Sequence, residues 1–346
     1  MTFPIISHTE PSPEEIDAVL ALVDTATEAD GVAPVSEHVL LHLRHGGDRE
    51  AHNLLAHSDP GTDAGTDGPG LVGYAHLDAA DSEPEPGAEL VVHPAYRRRG
   101  VGDALLAELE RVSDQTGAGG RLRVWAHGRH PGAAALARRR GYVEERVLWK
   151  MRRSLLTPMP EPTLPADIRI RPFRVGQDEQ VWTEVNNRAF ATHPDQGRWS
   201  VQDVRVREAE PWFDPQGFLL AERTDDGAVV GFHWTKVHGG AAADGSRPSD
   251  DSASSAGSAG EPIGEVYVVG VDPAAQRRGL GQALTLAGLH HLRSVGLLNV
   301  MLYVDESNTA AIGVYTRLGF TRWDTDVQYR RVLPAGPTGL TEPSQR

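Results

Sequence analysis

One turn occurs twice in this chain, and that repeat limits what it can fold into. Residues 92–105, Val-His-Pro-Ala-Tyr-Arg-Arg-Arg-Gly-Val-Gly-Asp-Ala-Leu, match residues 271–284, Val-Asp-Pro-Ala-Ala-Gln-Arg-Arg-Gly-Leu-Gly-Gln-Ala-Leu. Gly100 and Gly279 stand 179 residues apart, and a second landmark, Gly141-Tyr142 against Gly319-Phe320, recurs at 178. Two landmarks at nearly one offset mean a duplicated domain, and the period is far too long for a solenoid. The 346 residues suffice for two domains of ordinary size.

Each copy reads as strand, turn and helix. Residues 265–271 are β-branched and aromatic, as a buried strand should be. Asp272 and Pro273 end the strand, because proline has no N–H for a ladder. Gly279 and Gly281 let backbone approach a ligand with no Cβ in the way. The helix that follows presents free N–H groups and a positive dipole end beside arginines, an anion site suited to phosphate. The turn lacks the Gly-Lys-Ser/Thr of a Walker loop. It also lacks the dinucleotide fingerprint, since Leu284 stands where a small residue is needed. The competing reading is a plain strand-turn-helix with surface arginines.

Composition narrows the classes. A net charge of −14 argues against nucleic-acid partners, while arginines gather at the two turns. With no cysteine there are no disulfides, thiolate metal sites or cysteine nucleophile. No apolar run is long enough to span a membrane, and no basic start leads into an apolar core. The expectation is a cytoplasmic monomer without membrane or metal.

Along the chain, Ser12-Pro13-Glu14-Glu15 predicts a capped helix with Ile16, Val19, Leu20 and Val23 buried. A second helix over 36–44 sets His38, His42 and His45 at i, i+4 and i+7. That is ligand spacing in principle, but nothing nearby completes a site, so it reads as a polar face. Strands are expected at 3–7, 71–77, 89–93, 122–126, 147–151, 168–172, 218–221, 229–237, 299–304 and 327–332. Further helices are expected from 101, over 131–140, 178–190 and 309–317. Residues 58–70 read as a hairpin loop and 239–262 as a disordered insertion. The division is a domain over 1–155, a proline-rich linker over 156–166, a second domain over 167–334, and a tail over 335–346. The fold class is α/β (α+β), with a mixed sheet flanked by helices in each domain.

The pattern Gln276-x-x-Gly279-x-Gly281 after a strand resembles the acyl-coenzyme A loop of the GNAT N-acetyltransferases. A tandem pair of such domains is therefore implied, each with a mixed, mostly antiparallel sheet. Residues 30–35, 193–197, 231–236 and 264–268 are similar to those of the mycothiol synthase family of actinobacteria, over nearly the whole chain. That resemblance implies acetyl transfer from acetyl-coenzyme A to the cysteinyl amine of a cysteinyl-glucosamine-inositol conjugate.

Acetyl transfer to an amine needs a base for the amine proton, a donor to the carbonyl oxygen and an acid for the leaving thiolate. Glu265 is the candidate base. On a period of two it shares a face with Tyr267 and Val269; the alternative is an ordinary strand-end carboxylate. The superfamily resemblance makes Tyr315 the candidate acid, with core packing as its alternative. Coenzyme contacts are expected at Val269, Gly270, Val271, Gln276, Arg277, Arg278, Gly279, Leu280, Gly281 and Gln282. The resemblance implies others at Asn308, Thr309, Ala310, Ala311, Ile312 and Gly313. In the first domain they are implied at Leu90, Val91, Val92, Arg98, Arg99, Gly100, Val101, Gly102 and Asp103. The resemblance implies substrate contacts at Glu37, Asp195, Lys236, Glu265 and Tyr303. By the two offsets, Glu265 falls on Pro86 and Tyr315 on Ala137, so the first copy keeps the turn and loses the chemistry. A transferase for another amine and a non-catalytic acetyl-coenzyme A sensor remain as rival readings.

Overall fold

The capping box at Ser12 forms as expected: Glu15 N donates to Ser12 Oγ at 3.3 Å and Ser12 N to Glu15 Oε2 at 2.8 Å. It opens the first helix of a computed structural model that describes residues 3–46, 51–58, 70–78, 86–115, 121–191, 193, 197–239 and 262–331. Most of the expected hairpin loop and insertion, the tail and Asp195 lie outside these residues.

The strands are β1 (Ile5–His8), β2 (Ala51–His57), β3 (Leu71–Asp78), β4 (Gly87–Val92), β5 (Arg123–Ala126) and β6 (Tyr142–Ser154). They continue with β7 (Ile168–Pro172), β8 (Phe218–Arg223), β9 (Val229–His238), β10 (Ile263–Val271), β11 (Asn299–Asp305) and β12 (Thr321–Arg331). The helices are α1 (Pro13–Asp30), α2 (Glu37–His45), α3 (Val101–Gln115), α4 (Pro131–Arg139), α5 (Glu179–Ala189), α6 (Val201–Glu208), α7 (Leu280–Ser294) and α8 (Thr309–Arg317).

The chain divides into two compact units that interleave in sequence. Unit one takes the described parts of Met1–Thr25, Gly46–Arg146 and Val327–Arg346; unit two takes Ala26–His45 and Val147–Asp326. In unit one the strand order is β1-β2-β3-β4-β5, and β12 from Val327 completes it, with Val327 opposite Ala126. In unit two the order is β6-β11-β10-β9-β8-β7, where β6 pairs with β11 from Leu148 to Ser154. The last strand of each sequence half thus completes the sheet of the other, and α2 falls in unit two. The contiguous halves 1–155 and 167–334 do not coincide with these units.

In unit one α3 buries Val101, Leu105, Leu109 and Val112, one face at helical period, against β2, β3 and β4. Unit two has α7 and α8 on one side over Val266, Val300, Leu302 and Phe320. A second cluster, Trp182, Phe218, Phe232, Trp234 and Val268, covers the other side. Two elements escape a reading by periodicity. Strand β2 was not expected, and neither was α6, which buries only Val204 and Arg207. A reciprocal capping box holds α6 in place, with Ser200 N donating to Asp203 Oδ2 at 2.7 Å and Asp203 N to Ser200 Oγ at 3.2 Å.

Candidate active site

The two glycine turns have the same backbone path. Arg98 and Gly100 carry φ of 63° and 96°; Arg277 and Gly279 carry 65° and 77°. A single 3₁₀ turn precedes each, capped by His93 or Asp272, whose side chain accepts from the amide two residues on. The long side chain after it folds back: Arg97 Nε donates to Val92 O and Gln276 Nε2 to Val271 O, both at 3.2 Å. Gln276 therefore closes the turn with its side chain and offers a ligand only backbone.

The turn in unit two suits a phosphorylated ligand. Gly279 opens α7 in the left-handed region, and a Cβ there would meet nothing within 4 Å. A Cβ on Gly281 would touch only Val271, at 3.8 Å. No described residue fills the space these glycines leave. No acidic residue stands in the first turn of α7, so its free N–H groups face that space unopposed. Of the two arginines, Arg278 is held by Asp167, with Nη1 to Oδ2 at 3.0 Å. The guanidinium of Arg277 has no partner among the described residues.

Next to the turn, the sheet opens. Strand β10 pairs in parallel with β11 only at Gly264 with Val300 and Glu265 with Met301, and Val266–Val271 has no partner on that side among the described residues. On its other side it stays bonded to β9 as far as Val271 opposite Gly231. Val269, Gly270 and Val271 thus lie on a free strand edge, where an extended chain bearing amides can add as a further strand. Unit one repeats the opening. Strand β4 pairs with β5 at Gly87, Ala88 and Glu89, and Leu90, Val91 and Val92 have no partner on that side among the described residues.

A β-bulge between Val266 and Val268 distinguishes β10 from β4. It corrects two sequence expectations. Period two fails across the bulge: Tyr267 and Val268 join the tryptophan cluster, while Val269 packs with the α7 side. Glu265 pairs with Lys236, on the Phe232 and Trp234 face of β9, so it shares a face with Tyr267 but not with Val269. The extra residue also moves the comparison with unit one. Counting from the paired ends at Val92 and Val271, Glu265 corresponds to Gly87, not Pro86, and Lys236 corresponds to Asp78.

On that face the structure gathers polar side chains from distant segments. Glu265, 6% exposed, accepts from His238 Nε2 at 2.6 Å. Lys236 is ion-paired with Glu37 of α2 and lies over the rings of Trp212 (4.6 Å) and Tyr267 (5.5 Å). Arg207 of α6 donates to the Tyr267 hydroxyl at 2.7 Å and stacks on Trp199 at 4.2 Å. Burial pulls the Glu37 carboxyl upward, but the charges of Lys236 and Arg207 and bonds from Lys236 and Tyr267 outweigh it and hold it below its ordinary range. Sequence reading places Tyr267 on the face of Glu265 but does not single out His238, Arg207 or Trp212. The capping box before α6 was the one local sign of Arg207.

Tyr315 lies on the other side of the sheet, partly buried against the Val266 and Val300 cluster with its ring 5.8 Å from Phe320. Burial pushes its hydroxyl up to about 12, so it stays protonated near neutral pH. The hydroxyl has no hydrogen-bond partner among the described residues, and none joins it to Glu265. Tyr303 of β11 lies under the Lys150 ammonium at 5.5 Å. Asn308 caps α8 by accepting from Ala311 N at 3.1 Å, ahead of Thr309, Ala310, Ile312 and Gly313 in its first turns. His45 pairs with Glu210 at 2.9 Å. A cleft of about 330 Å³ lined by Arg152, Arg322 and Trp323 contains none of these site residues, so concavity alone does not locate the chemistry.

In unit one Asp103 replaces Gln282 at the helix start. Arg139 (2.7 Å) and Arg140 (3.0 Å) bind it and hold its carboxyl below the ordinary range. No helix of the described residues is long and apolar enough to cross a membrane.

In each unit a sheet opens beside a glycine turn, and together these define an acetyltransferase of the GNAT class. A family model described as an acetyltransferase (GNAT) domain matches residues 64–144, and one described as the acetyltransferase (GNAT) family matches 182–320. A GCN5-related N-acetyltransferase from Sphaerobacter thermophilus superposes with a TM-score of 0.63 at 25% identity, over 95% of this chain and 96% of that one. A tandem GNAT protein from the clavulanic acid biosynthesis pathway shares the fold, with a TM-score of 0.67 at 19% identity over 98% and 100%.

Among curated relatives, the mycothiol acetyltransferase of Acidothermus cellulolyticus is 52% identical over 96% of both chains. That of Streptosporangium roseum is 50% identical over 92% of this chain and 96% of its own. The chain belongs to the mycothiol acetyltransferase family. It is an N-acetyltransferase that uses acetyl-coenzyme A and a small-molecule acceptor.

Proposed function

We propose that the protein transfers acetyl from acetyl-coenzyme A to the cysteinyl amine of 1D-myo-inositol 2-(L-cysteinylamino)-2-deoxy-α-D-glucopyranoside, giving mycothiol and coenzyme A. Family membership supports the substrate. The observation that carries the chemistry is the buried Glu265 where β10 and β11 part, on one face with the Lys236–Glu37 pair.

Acetyl-coenzyme A supplies the activated acyl group when bound. The backbone N–H groups from Gln276 to Gln282 and the Arg277 guanidinium hold its phosphates, and the open edge at Val269, Gly270 and Val271 holds its amide-bearing arm. An α-amine has a pKa of about 7.7–8.0, so a carboxylate is a sufficient base near neutral pH. Glu265 takes the amine proton, directly or through water. Tyr315, protonated at that pH, gives a proton to the departing sulfur. Lys236, Glu37, Tyr303 and Asp195 bind substrate hydroxyls. Unit one, with Gly87 in place of the carboxylate, binds acetyl-coenzyme A without turning it over. The protein works in the cytoplasm as a monomer, and none of these steps uses a metal.

Coenzyme A release tests this reading, with the cysteinyl-glucosamine-inositol amine run beside an unrelated peptide amine. Release with the sugar conjugate alone is expected. Release with neither, or with the peptide alone, overturns it.

A further inference from the structure

Glu265 is not a lone carboxylate. His238, the last residue of β9, sits two positions beyond Lys236, the direct cross-strand partner of Glu265, so its imidazole reaches the carboxylate along the diagonal. The Nε2 to Oε2 distance is 2.6 Å, and the two residues are 7% and 6% exposed. No other charged group competes for this carboxylate among the described residues, because Lys236 is turned to Glu37, Trp212 and Tyr267. The second buried histidine of β9 serves packing. His233 gives Nδ1 to Leu284 O on α7 at 2.7 Å, and burial pushes its imidazole down to about 4.

We propose that His238 is the positioning residue for the base, an inference that rests on Glu265 acting as that base. An ionised carboxylate only accepts, so whenever Glu265 is charged the hydrogen between the two groups belongs to Nε2. That bond has two effects. It fixes the carboxylate rotamer at the end of a buried strand, and it engages Oε2, leaving Oε1 as the oxygen with free lone pairs. The proton that leaves the acceptor's ammonium lands on Oε1, and the nitrogen keeps the electron pair with which it attacks the acyl carbon. His238 neither gains nor loses a proton in this step.

The test uses the full chain with His238→Ala, His238→Gln, His238→Asn and Glu265→Gln. It measures steady-state coenzyme A release, acetyl-coenzyme A binding and thermal unfolding. His238→Ala is expected to lower kcat about 10²-fold, the low end of what placed proton transfer contributes, with acetyl-coenzyme A binding unchanged. His238→Gln, whose amide N–H reaches the place of Nε2, is expected to recover most of that loss. His238→Asn, whose amide overlays Nδ1, is expected to recover none.

Wild-type kcat in His238→Ala beside an inactive Glu265→Gln overturns the inference and leaves the base intact. Equal losses in all three His238 variants, tracking lost thermal stability, also overturn it and mark His238 as structural. Full turnover in Glu265→Gln removes the base assignment itself, and the inference with it.

Discussion

Unit one and unit two share a turn to within a few degrees at Arg98 and Arg277, down to the side chain that closes each turn on the last strand carbonyl. They also share the opening of the sheet beside it. They part on the strand before the turn. Strand β10 has a bulge, Glu265, and a lysine opposite; β4 runs regular, with Gly87 and Asp78 at those places. The comparison separates two jobs. Binding a phosphorylated acyl carrier needs backbone geometry, which survives sequence change. Moving a proton needs one carboxylate at one register position, which a single inserted or replaced residue removes.

The largest effects should come from the groups unit one lacks. Glu265→Gln is expected to lower kcat by about 10²–10⁴-fold, and Tyr315→Phe by about 10²-fold. Both should keep acetyl-coenzyme A affinity, checked by calorimetry beside the release assay. Loss of affinity in proportion to turnover would place these residues in binding.

An intermediate effect is expected from the residues both units hold. Gly279→Ala puts a Cβ at φ 77°, a strain of about 1–2 kcal/mol, and should raise KM for acetyl-coenzyme A. Gly100→Ala, at φ 96°, should leave turnover unchanged and weaken only binding at unit one. Equal loss of turnover from both substitutions would break the division of labour.

The smallest effect concerns α6, which carries Arg207. Burial first, then the charge and hydrogen bond of Glu179, push the Glu208 carboxyl from 4.5 up to about 7. The folded state therefore holds more protons than the unfolded chain between these values, and stability falls as pH rises through that window, then levels off. Glu208→Gln should raise the thermal midpoint by about 2 °C at pH 8 and leave it nearly unchanged at pH 5. Scanning calorimetry at the two pH values measures it.

Much of this was legible locally. The stripe of α3, the Ser12 capping box, the Asn308 cap and both glycine turns are short-range patterns, and they formed where the residues place them. Strand β2 and α6 were not legible, because neither carries a clean period and α6 depends on its cap. The site was legible in part. Glu265 and Lys236 do share a face, but the bulge that decides which other residues join them depends on pairing with β9.

The sequence by itself determined the duplication, the two glycine turns and the absence of a carboxylate at the first copy's counterpart of Glu265. These follow from residue identity at fixed spacing. Tertiary structure alone decided that Glu37 meets Lys236 across 199 residues, that His238 stands behind Glu265, and that each unit takes its closing strand from the other half of the sequence. Such contacts depend on which strand edge pairs with which. The energy of that pairing is set by backbone hydrogen bonds and shared burial over the whole sheet, which no local window of residues contains.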